Sequence, residues 1–192
     1  MIIGLTGPVG SGKTEAAKIF KKIGAYIIEA DLVGHKILAD PLFEKKLLDE
    51  FKTANRKKIS DIVFADLKRL KKLNLLLHPN IIERIQYAVE SVHKKEKNRL
   101  IVIDAALPCL FEKLVDEVWV VWASKKNRVK RLLKRGFKKK KILQIMKSQP
   151  SKKDYIKIAD KIIINEGDFN QFKSEILGVF RCWGKSKFNA KI

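Results

Sequence analysis

A glycine-rich stretch near the start of the chain has the residue types and spacing needed to bind phosphate. Residues Gly7–Thr14 read Gly-x4-Gly-Lys-Thr, the phosphate-binding P-loop pattern. Glycines let the backbone curl so that N–H groups point at phosphate oxygens, and a following helix adds the positive end of its dipole. Lys13 is expected to reach the β- and γ-phosphates, and the Thr14 hydroxyl to take one position around magnesium. The pattern predicts binding of a nucleoside triphosphate.

Two aspartates follow apolar, strand-like stretches and are candidates for chemistry at the γ-phosphate. We expect Asp31 to end the second strand beside the P-loop end of the first, where it would accept the proton of an attacking hydroxyl. The alternative for Asp31 is a helix N-cap. Asp104 ends the third predicted strand, where it would hold a magnesium-bound water. Its alternative is a turn residue at the strand end.

Arginines at one helical face are the third candidate group. Arg128, Arg131 and Arg135 are spaced i, i+3, i+7, whereas the apolar residues at 129, 132 and 133 take another face. Guanidinium groups bind phosphate oxygens bidentately and stay charged, which suits a lid that clamps a transferring phosphate. We assign Arg131 and Arg135 to such a lid, and the alternative is a solvated basic helix.

The elements that must position these residues are strands and helices in alternation. Near-continuous apolar runs are typical of buried parallel strands, and helical periodicity fills the intervals. This order predicts an α/β fold with a doubly wound, five-stranded parallel sheet that binds ligands at the carboxyl ends of its strands. The predicted strands are 1–6, 25–31, 100–104, 118–122 and 161–165. The predicted helical stretches are 13–23, 32–51, 57–76, 81–94 and 125–135. We expect a break at Asp40–Pro41 within the second stretch and an interruption at 75–79 between the third and the fourth.

The helical stretch between the second and third strands, about 65 residues, is too long for a simple crossover. We therefore expect one domain over residues 1–192 that contains a helical acceptor-binding subdomain at 32–97 and a lid region at 125–150. No apolar run reaches membrane-spanning length, and residues 1–6 do not read as a signal peptide. Cys109 and Cys182 lack the number and spacing of a disulfide framework or zinc site. We expect reduced thiols in a cytoplasmic protein.

The net charge of +21 has three possible explanations. The protein could bind nucleic acid, it could bind an anionic small substrate, or its lysines could simply form a solvated surface. Fourteen Lys or Arg and no Asp or Glu occur between Lys125 and Lys153. Only Phe137 interleaves an aromatic ring there, and no nucleic-acid-binding signature accompanies it. Charge alone does not favour nucleic acid. A GTPase is also disfavoured, because Asp31–Gly34 follows the first helix too closely and no guanine-reading Asn-Lys-x-Asp occurs.

The chain resembles the dephospho-coenzyme A kinase family from Met1 to about Phe172. It departs from the family pattern at Glu29, which replaces an aspartate, and in a shortened loop before Asn55. The P-loop is shared by many families, whereas the remaining pieces are more specific. Those pieces are Glu29–Asp31 with His35, Asn55–Lys58, Ile62–Phe64, Leu73–Asn74 with His78–Ile81, Val102–Ala105, Arg131 with Arg135, Gln149–Pro150, Ala159–Asp160 and Asn165.

The resemblance implies ATP- and magnesium-dependent phosphorylation of the ribose 3′-hydroxyl of dephospho-coenzyme A, the last step of coenzyme A synthesis. It implies that Asp31 activates the hydroxyl and that His35, Arg56 and His78 lie near the acceptor. The alternative for Arg56 is a surface turn position, and the alternative for His78 is a helix cap. Other open classes are a nucleoside or nucleotide kinase and a nucleic-acid-binding or regulatory P-loop ATPase. The expected nucleotide contacts are Gly7, Gly10, Ser11, Gly12, Lys13, Thr14, Glu15 and Arg131, with Thr14 and Asp104 at the metal and Lys13 and Arg135 in catalysis.

Overall fold

The computed structural model describes the backbone of residues 1–189 and their side chains, except those of Phe64 and residues 182–189. The chain divides into two compact units. The first joins Met1–Ile27 to the chain from Asn98 onwards, and the second spans Ile28–Lys97. Cys109 is exposed and is not in a disulfide, whereas the Cys182 side chain lies outside the described residues. No helix in the described part of the chain has the length and apolarity of a membrane span.

The sheet has five strands in the order β2-β3-β1-β4-β5. Strand β1 pairs in parallel with both β3 and β4, and β4 pairs in parallel with β5. Both β1 and β4 are buried on both faces, which explains their continuous apolar sequence. The predicted five-stranded parallel sheet is confirmed. The strands are β1 Ile2–Thr6, β2 Tyr26–Glu29, β3 Ile101–Asp104, β4 Glu117–Trp122 and β5 Lys161–Ile164.

Helices of the first unit cover this sheet. Because side chains alternate along a strand, residues 3 and 5 of β1, 119 and 121 of β4 and 163 of β5 project to one face. There they meet the apolar sides of α1 and α9, and Phe20 of α1 contacts Trp119 edge to face at 5.6 Å between ring centroids. The helices are α1 Lys13–Lys22, α6 Lys125–Lys134, α7 Lys139–Lys147, α8 Lys152–Ile158 and α9 Phe169–Asn189, with a 3-10 turn at Pro108–Leu110.

The second unit is helical, and each helix buries one apolar stripe. Asp40 accepts a hydrogen bond from the Leu42 N–H at 3.0 Å, and Pro41 occupies the first helical position, so the predicted helix break is confirmed. Helices α2 and α4 both pack against the long α5. The helices are α2 Ala30–Ile37, α3 Pro41–Phe51, α4 Arg56–Ala65 and α5 Leu67–Lys95.

The second strand is shorter than predicted, and its neighbour differs. Strand β2 ends at Glu29, and α2 begins at Ala30, so Asp31 lies in the first helical turn and not at the strand end. Strand β3 lies between β2 and β1, so the expectation that strand two lies beside strand one is wrong. Strand neighbours depend on the crossover path of the chain, which residue pattern alone does not reveal.

The predicted helix interruption at residues 75–79 is also wrong, because α5 runs through Pro79 without a break. A proline removes one N–H from a helix, and the helix tolerates this when neighbours satisfy the freed groups. Pro79 takes one N–H donor from the Leu75 carbonyl, four residues before it, which is one hydrogen bond of a 29-residue helix. The real boundary is Asp66, whose carboxylate accepts from the N–H groups of Lys68 and Arg69.

We predict that Phe20→Ala lowers the free energy of unfolding by about 3–5 kcal/mol, because it leaves a cavity against Trp119 in the core. Urea denaturation followed by circular dichroism measures this. The control is Phe169→Ala, since that ring is 53% exposed and its removal should cost less than about 0.5 kcal/mol. Equal costs for the two variants would contradict this account of the core.

Candidate active site

The P-loop joins β1 to α1 and takes a shape that only glycine adopts readily at two positions. Gly10 and Gly12 have φ of 79° and 108°, in the left-handed region. A Cβ on Gly12 would also collide with the side-chain nitrogen of Asn165. Gly12 is the N-cap of α1 and has no side chain to accept from the first-turn N–H groups. Those N–H groups are suited to an anionic ligand.

The carbonyl oxygens on the outside of the loop are held by side chains from distant segments. The Val9 carbonyl accepts from Arg128 Nε at 2.8 Å. The Gly10 and Ser11 carbonyls accept from the Arg131 guanidinium at 3.4 and 3.2 Å, and Asn165 Nδ2 also donates to the Ser11 carbonyl, at 2.7 Å. These donors stabilise the curl of the loop from behind.

Arg131 is fixed by further contacts. Its second terminal nitrogen donates to the backbone carbonyl and to the side-chain oxygen of Asn165, at 2.9 and 2.8 Å. Burial lowers the pKa of Arg131, with Arg135 acting in the same direction and Glu166 opposing. The solvated-helix alternative is wrong for Arg128 and Arg131. Arg128 is buried and Arg131 half-buried, because both reach under the loop.

Lys13 and Asp104 form an ion pair at the carboxyl edge of the sheet. The Lys13 ammonium donates to Asp104 Oδ1, and the two side chains are only 17% and 10% exposed. Leu5 of β1 lies opposite Asp104 of β3 in the sheet register, which brings the carboxylate to the end of the P-loop strand. A pair this little exposed is costly to break, because both charges are largely shielded from water. The cation and the carboxylate predicted to act on phosphate and metal are therefore in direct contact.

The residues near the P-loop fit a magnesium ion delivered with a nucleotide. Thr14 is exposed in the first turn of α1, and its hydroxyl and the Asp104 carboxylate are oxygen ligands of the kind magnesium prefers. Among the described residues, no cluster of three or more His, Cys, Asp or Glu side chains is arranged around a metal position. Magnesium is usually held by one or two protein ligands together with substrate phosphates, so this sparse set fits it.

A second set of contacts ties the end of β5 to the start of α6. The Glu166 carboxylate accepts from the Ser124 N–H and from Asn127 Nδ2, the latter at 2.6 Å. Partial burial opposes ionisation of Glu166, but these hydrogen bonds and Arg131 outweigh it and lower the pKa of that carboxyl. The turn after β5, which carries Asn165, is thereby anchored to the helix that carries Arg131.

The remaining predicted residues of the first unit lie on exposed helix ends. Arg135 is the exposed C-terminal cap of α6 and directs no contact to the P-loop backbone of the kind that Arg128 and Arg131 make. Glu15, in the first turn of α1, accepts from Lys18 at 2.8 Å. The sequence did not reveal the roles of Arg128, Gln149 and Asn165 at the loop. The signals were the i, i+3 spacing of Arg128 and Arg131 and the family motifs that contain the other two.

The acceptor-side candidates belong to the second unit. Arg56, the exposed first residue of α4, donates to the His35 carbonyl at 2.7 Å. His78 lies inside α5, where burial lowers its pKa, so a helix-capping role is wrong. Asp31 is exposed, and the N-cap of α2 is Glu29, so the capping alternative for Asp31 is also wrong.

A cavity of about 660 Å³ in the second unit is lined by α3 and α5 but by none of these candidates. It is bordered by charges of both signs, and Asp40 and Arg84 form an ion pair at 3.6 Å at its edge. Its lining therefore offers no concentrated positive charge to an anionic ligand. We do not assign the acceptor to it.

The family model and the curated relatives that match this chain over most of its length name one family. The family model for dephospho-CoA kinase matches residues 1–171. The dephospho-CoA kinases of Carboxydothermus hydrogenoformans and Dehalococcoides mccartyi are 32% and 33% identical to the chain; the alignments cover 95% and 90% of the chain and 94% and 92% of those proteins. The solved dephospho-CoA kinase of Campylobacter jejuni superposes with a TM-score of 0.69 at 25% identity, over 97% of this chain and 98% of that one.

These matches span the whole arrangement described above, from the P-loop through α6 to β5, and they confirm the resemblance found in the sequence. The chain therefore belongs to the dephospho-CoA kinase family and is a kinase.

Proposed function

We propose that this kinase transfers the γ-phosphoryl group of ATP to the ribose 3′-hydroxyl of dephospho-coenzyme A, the last step of coenzyme A synthesis. The observation that carries the proposal is the Lys13–Asp104 pair at the mouth of a P-loop held in its phosphate-binding curl. Family membership supports dephospho-coenzyme A as the acceptor. The cytoplasm, where reduced Cys109 would persist, is the proposed location.

The first unit supplies the nucleotide side of the reaction in this proposal. The α1 N–H groups and the loop glycines bind the phosphates, and the Lys13 ammonium turns from Asp104 to the β- and γ-phosphate oxygens. Magnesium, when bound, neutralises charge that develops on the phosphate oxygens. Thr14 and Asp104 would hold it. Arg131 acts on the nucleotide by fixing the loop, since it donates hydrogen bonds to the Gly10 and Ser11 carbonyls.

The second unit supplies the acceptor side. Asp31 accepts the proton from the 3′-hydroxyl as that oxygen attacks phosphorus. Arg135, which belongs to the lid in the first unit, stabilises the charge on the phosphoryl group during transfer. His35, Arg56 and His78 orient the acceptor. We therefore propose residues 32–97 as the acceptor-binding region and residues 125–150 as the lid, with the positive field of the lid attracting two anionic substrates. Small molecules, and not nucleic acid, are the proposed partners.

The direct test of the proposal is ADP release with ATP, magnesium and a panel of acceptors. We expect release to depend on dephospho-coenzyme A, with the product phosphorylated at the ribose 3′-oxygen as shown by ³¹P and proton NMR. Release dependent on a nucleoside, a nucleotide or RNA instead would overturn the proposal.

Lys13→Met should lower kcat by at least about 10²-fold, because it removes a charge aimed at the transferring phosphate while it keeps the aliphatic stem. Circular dichroism should show a folded protein, and the double variant Lys13→Met/Asp104→Asn should recover part of the stability that the loss of the Lys13–Asp104 ion pair costs. Lys22→Ala, at the exposed end of α1, is the control and should keep wild-type kinetics. Substantial turnover by Lys13→Met would refute the role of Lys13.

Asp31→Asn separates chemistry from local structure. Loss of the carboxylate from the first turn of α2 should cost only about 0.3–1 kcal/mol of helix-dipole stabilisation. As a general base, however, an amide accepts no proton, so kcat should fall by about 10²–10⁴-fold with little change in KM for ATP. Asp49→Asn, exposed on α3, is the matched control. If Asp31→Asn retains wild-type turnover, the proposed base is wrong.

Arg135→Ala should lower kcat by about 10²-fold and change KM for dephospho-coenzyme A much less, since a lid guanidinium acts mainly in the transition state. The neighbouring exposed Lys134→Ala removes the same charge from the same helix end and should leave kcat near wild type. Steady-state kinetics at one ionic strength compares the two. Equal effects would mean that only the general basic field of the helix matters.

A further inference from the structure

The Gln149 side chain forms a hydrogen bond with the P-loop, which lies 140 positions earlier in the sequence. Its side-chain oxygen Oε1 accepts from the Val9 N–H at 3.0 Å and from an Arg128 terminal nitrogen at 3.2 Å. Arg128 Nε in turn donates to the Val9 carbonyl at 2.8 Å. Both polar backbone groups of Val9 are therefore engaged, and the two side chains that engage them are bonded to each other.

An amide oxygen at this position fits both donors. A carboxamide oxygen has two lone pairs and so accepts two hydrogen bonds at once, which an apolar side chain of the same length does not. Arg128 is 8% exposed, and its partial burial lowers its pKa, so its donors depend on protein acceptors more than on water. A buried donor left without an acceptor costs the full desolvation of that group.

The backbone that carries Gln149 is itself fixed on both sides. Ser148 is the C-cap of α7, and Ser151 is the N-cap of α8, where Ser151 and Asp154 form a capping box by bonding each other reciprocally. Gln149 and Pro150 form the short connection between these two helix ends. The side chain therefore projects from a rigid junction, which suits a residue that positions another segment.

Arg128 and Gln149 also come from opposite ends of the lid region 125–150. Arg128 lies near the start of α6, and Gln149 lies just after α7, so both ends of the lid region converge on Val9. A loop that is held at this residue keeps its curl without a ligand to impose it, and preorganisation of this kind lowers the entropic cost of binding phosphate.

We infer that Gln149 is a positioning residue for nucleotide binding: its Oε1 fixes the P-loop at Val9 and joins both ends of the lid region to it. This rests on the proposed function, because it supposes that the P-loop binds ATP. Gln149 acts through Val9 and Arg128 and does not itself contact the phosphates. Its loss should therefore weaken the nucleotide and leave the acceptor and the transfer step largely unaffected.

The test is Gln149→Met, which keeps length and volume but removes the shared acceptor. We expect ADP affinity, measured by isothermal titration calorimetry, to fall about tenfold. KM for ATP should rise by a similar factor, whereas KM for dephospho-coenzyme A and kcat should change less than about threefold. The matched control is Gln144→Met, an exposed glutamine on α7, which should match wild type in all four quantities.

Gln149→Asn is the second variant, because it keeps the amide but shortens it by one methylene and should behave as Gln149→Met does. Thermal melting of both variants establishes whether they are folded. One folded variant is enough to test the inference. Wild-type ADP affinity in a folded variant, or a loss confined to kcat, would overturn the inference. If the wild-type protein binds ADP but transfers no phosphoryl group to dephospho-coenzyme A, the proposed function fails, whereas the ADP affinities of the variants still decide the inference about Gln149.

Discussion

The constraint on which the site depends is the direction of the peptide groups in the P-loop. When N–H groups turn inward toward phosphate, the carbonyl oxygens turn outward, and each buried carbonyl needs a donor from elsewhere. In this chain the donors are Arg128 at Val9, Arg131 at Gly10 and Ser11, and Asn165 at Ser11. The arginine-rich helix α6 therefore stabilises the loop as well as contributing charge. A guanidinium suits this task because it carries several donors in one plane.

The same constraint explains the arrangement around the sheet. Donors must come from strands and helices that end beside β1, and the strand order places β3 and β4 on either side of it. Strand β3 delivers Asp104 to Lys13, and β4 leads into α6 and its arginines. Asn165 directly follows β5, and the Glu166 carboxylate anchors that turn to the start of α6. Each crossover thus returns a donor or a charge to the carboxyl edge of the sheet.

The large net charge divides into residues with different environments. Many lysines are exposed, for example those at 138–141, and their charge is screened by solvent and salt. Arg128 and Arg131, by contrast, are partly desolvated, and burial lowers the pKa of both. Their positive charge lies near the loop and is little exposed to counterions. Each of these arginines therefore attracts an anion at the loop more strongly than a surface lysine does. This difference separates the arginines from the lysines that surround them in sequence.

The sequence by itself determined the P-loop, the five-stranded parallel sheet, the helix break at Asp40 and the family. These features follow from local chemistry: glycine and proline conformations, capping side chains, and the periodicity of apolar residues. Prediction from local sequence was wrong where contacts with other parts of the fold determine the secondary structure. Pro79 stays within α5 because packing of this 29-residue helix against α2 and α4 outweighs the one hydrogen bond that a proline removes. Asp31 belongs to a helix because β2 ends at Glu29.

Only the tertiary structure decided which strand lies beside β1 and which side chains bond the loop. The hydrogen bonds from Arg128 and Asn165 join residues 119 and 154 positions apart, and Gln149 reaches back 140 positions to Val9. No local pattern specifies such a partner, because a glutamine or an arginine has the same sequence signal whether it is solvated or bonded. The path of the chain through the sheet brings these residues to one edge, and that path depends on long-range packing.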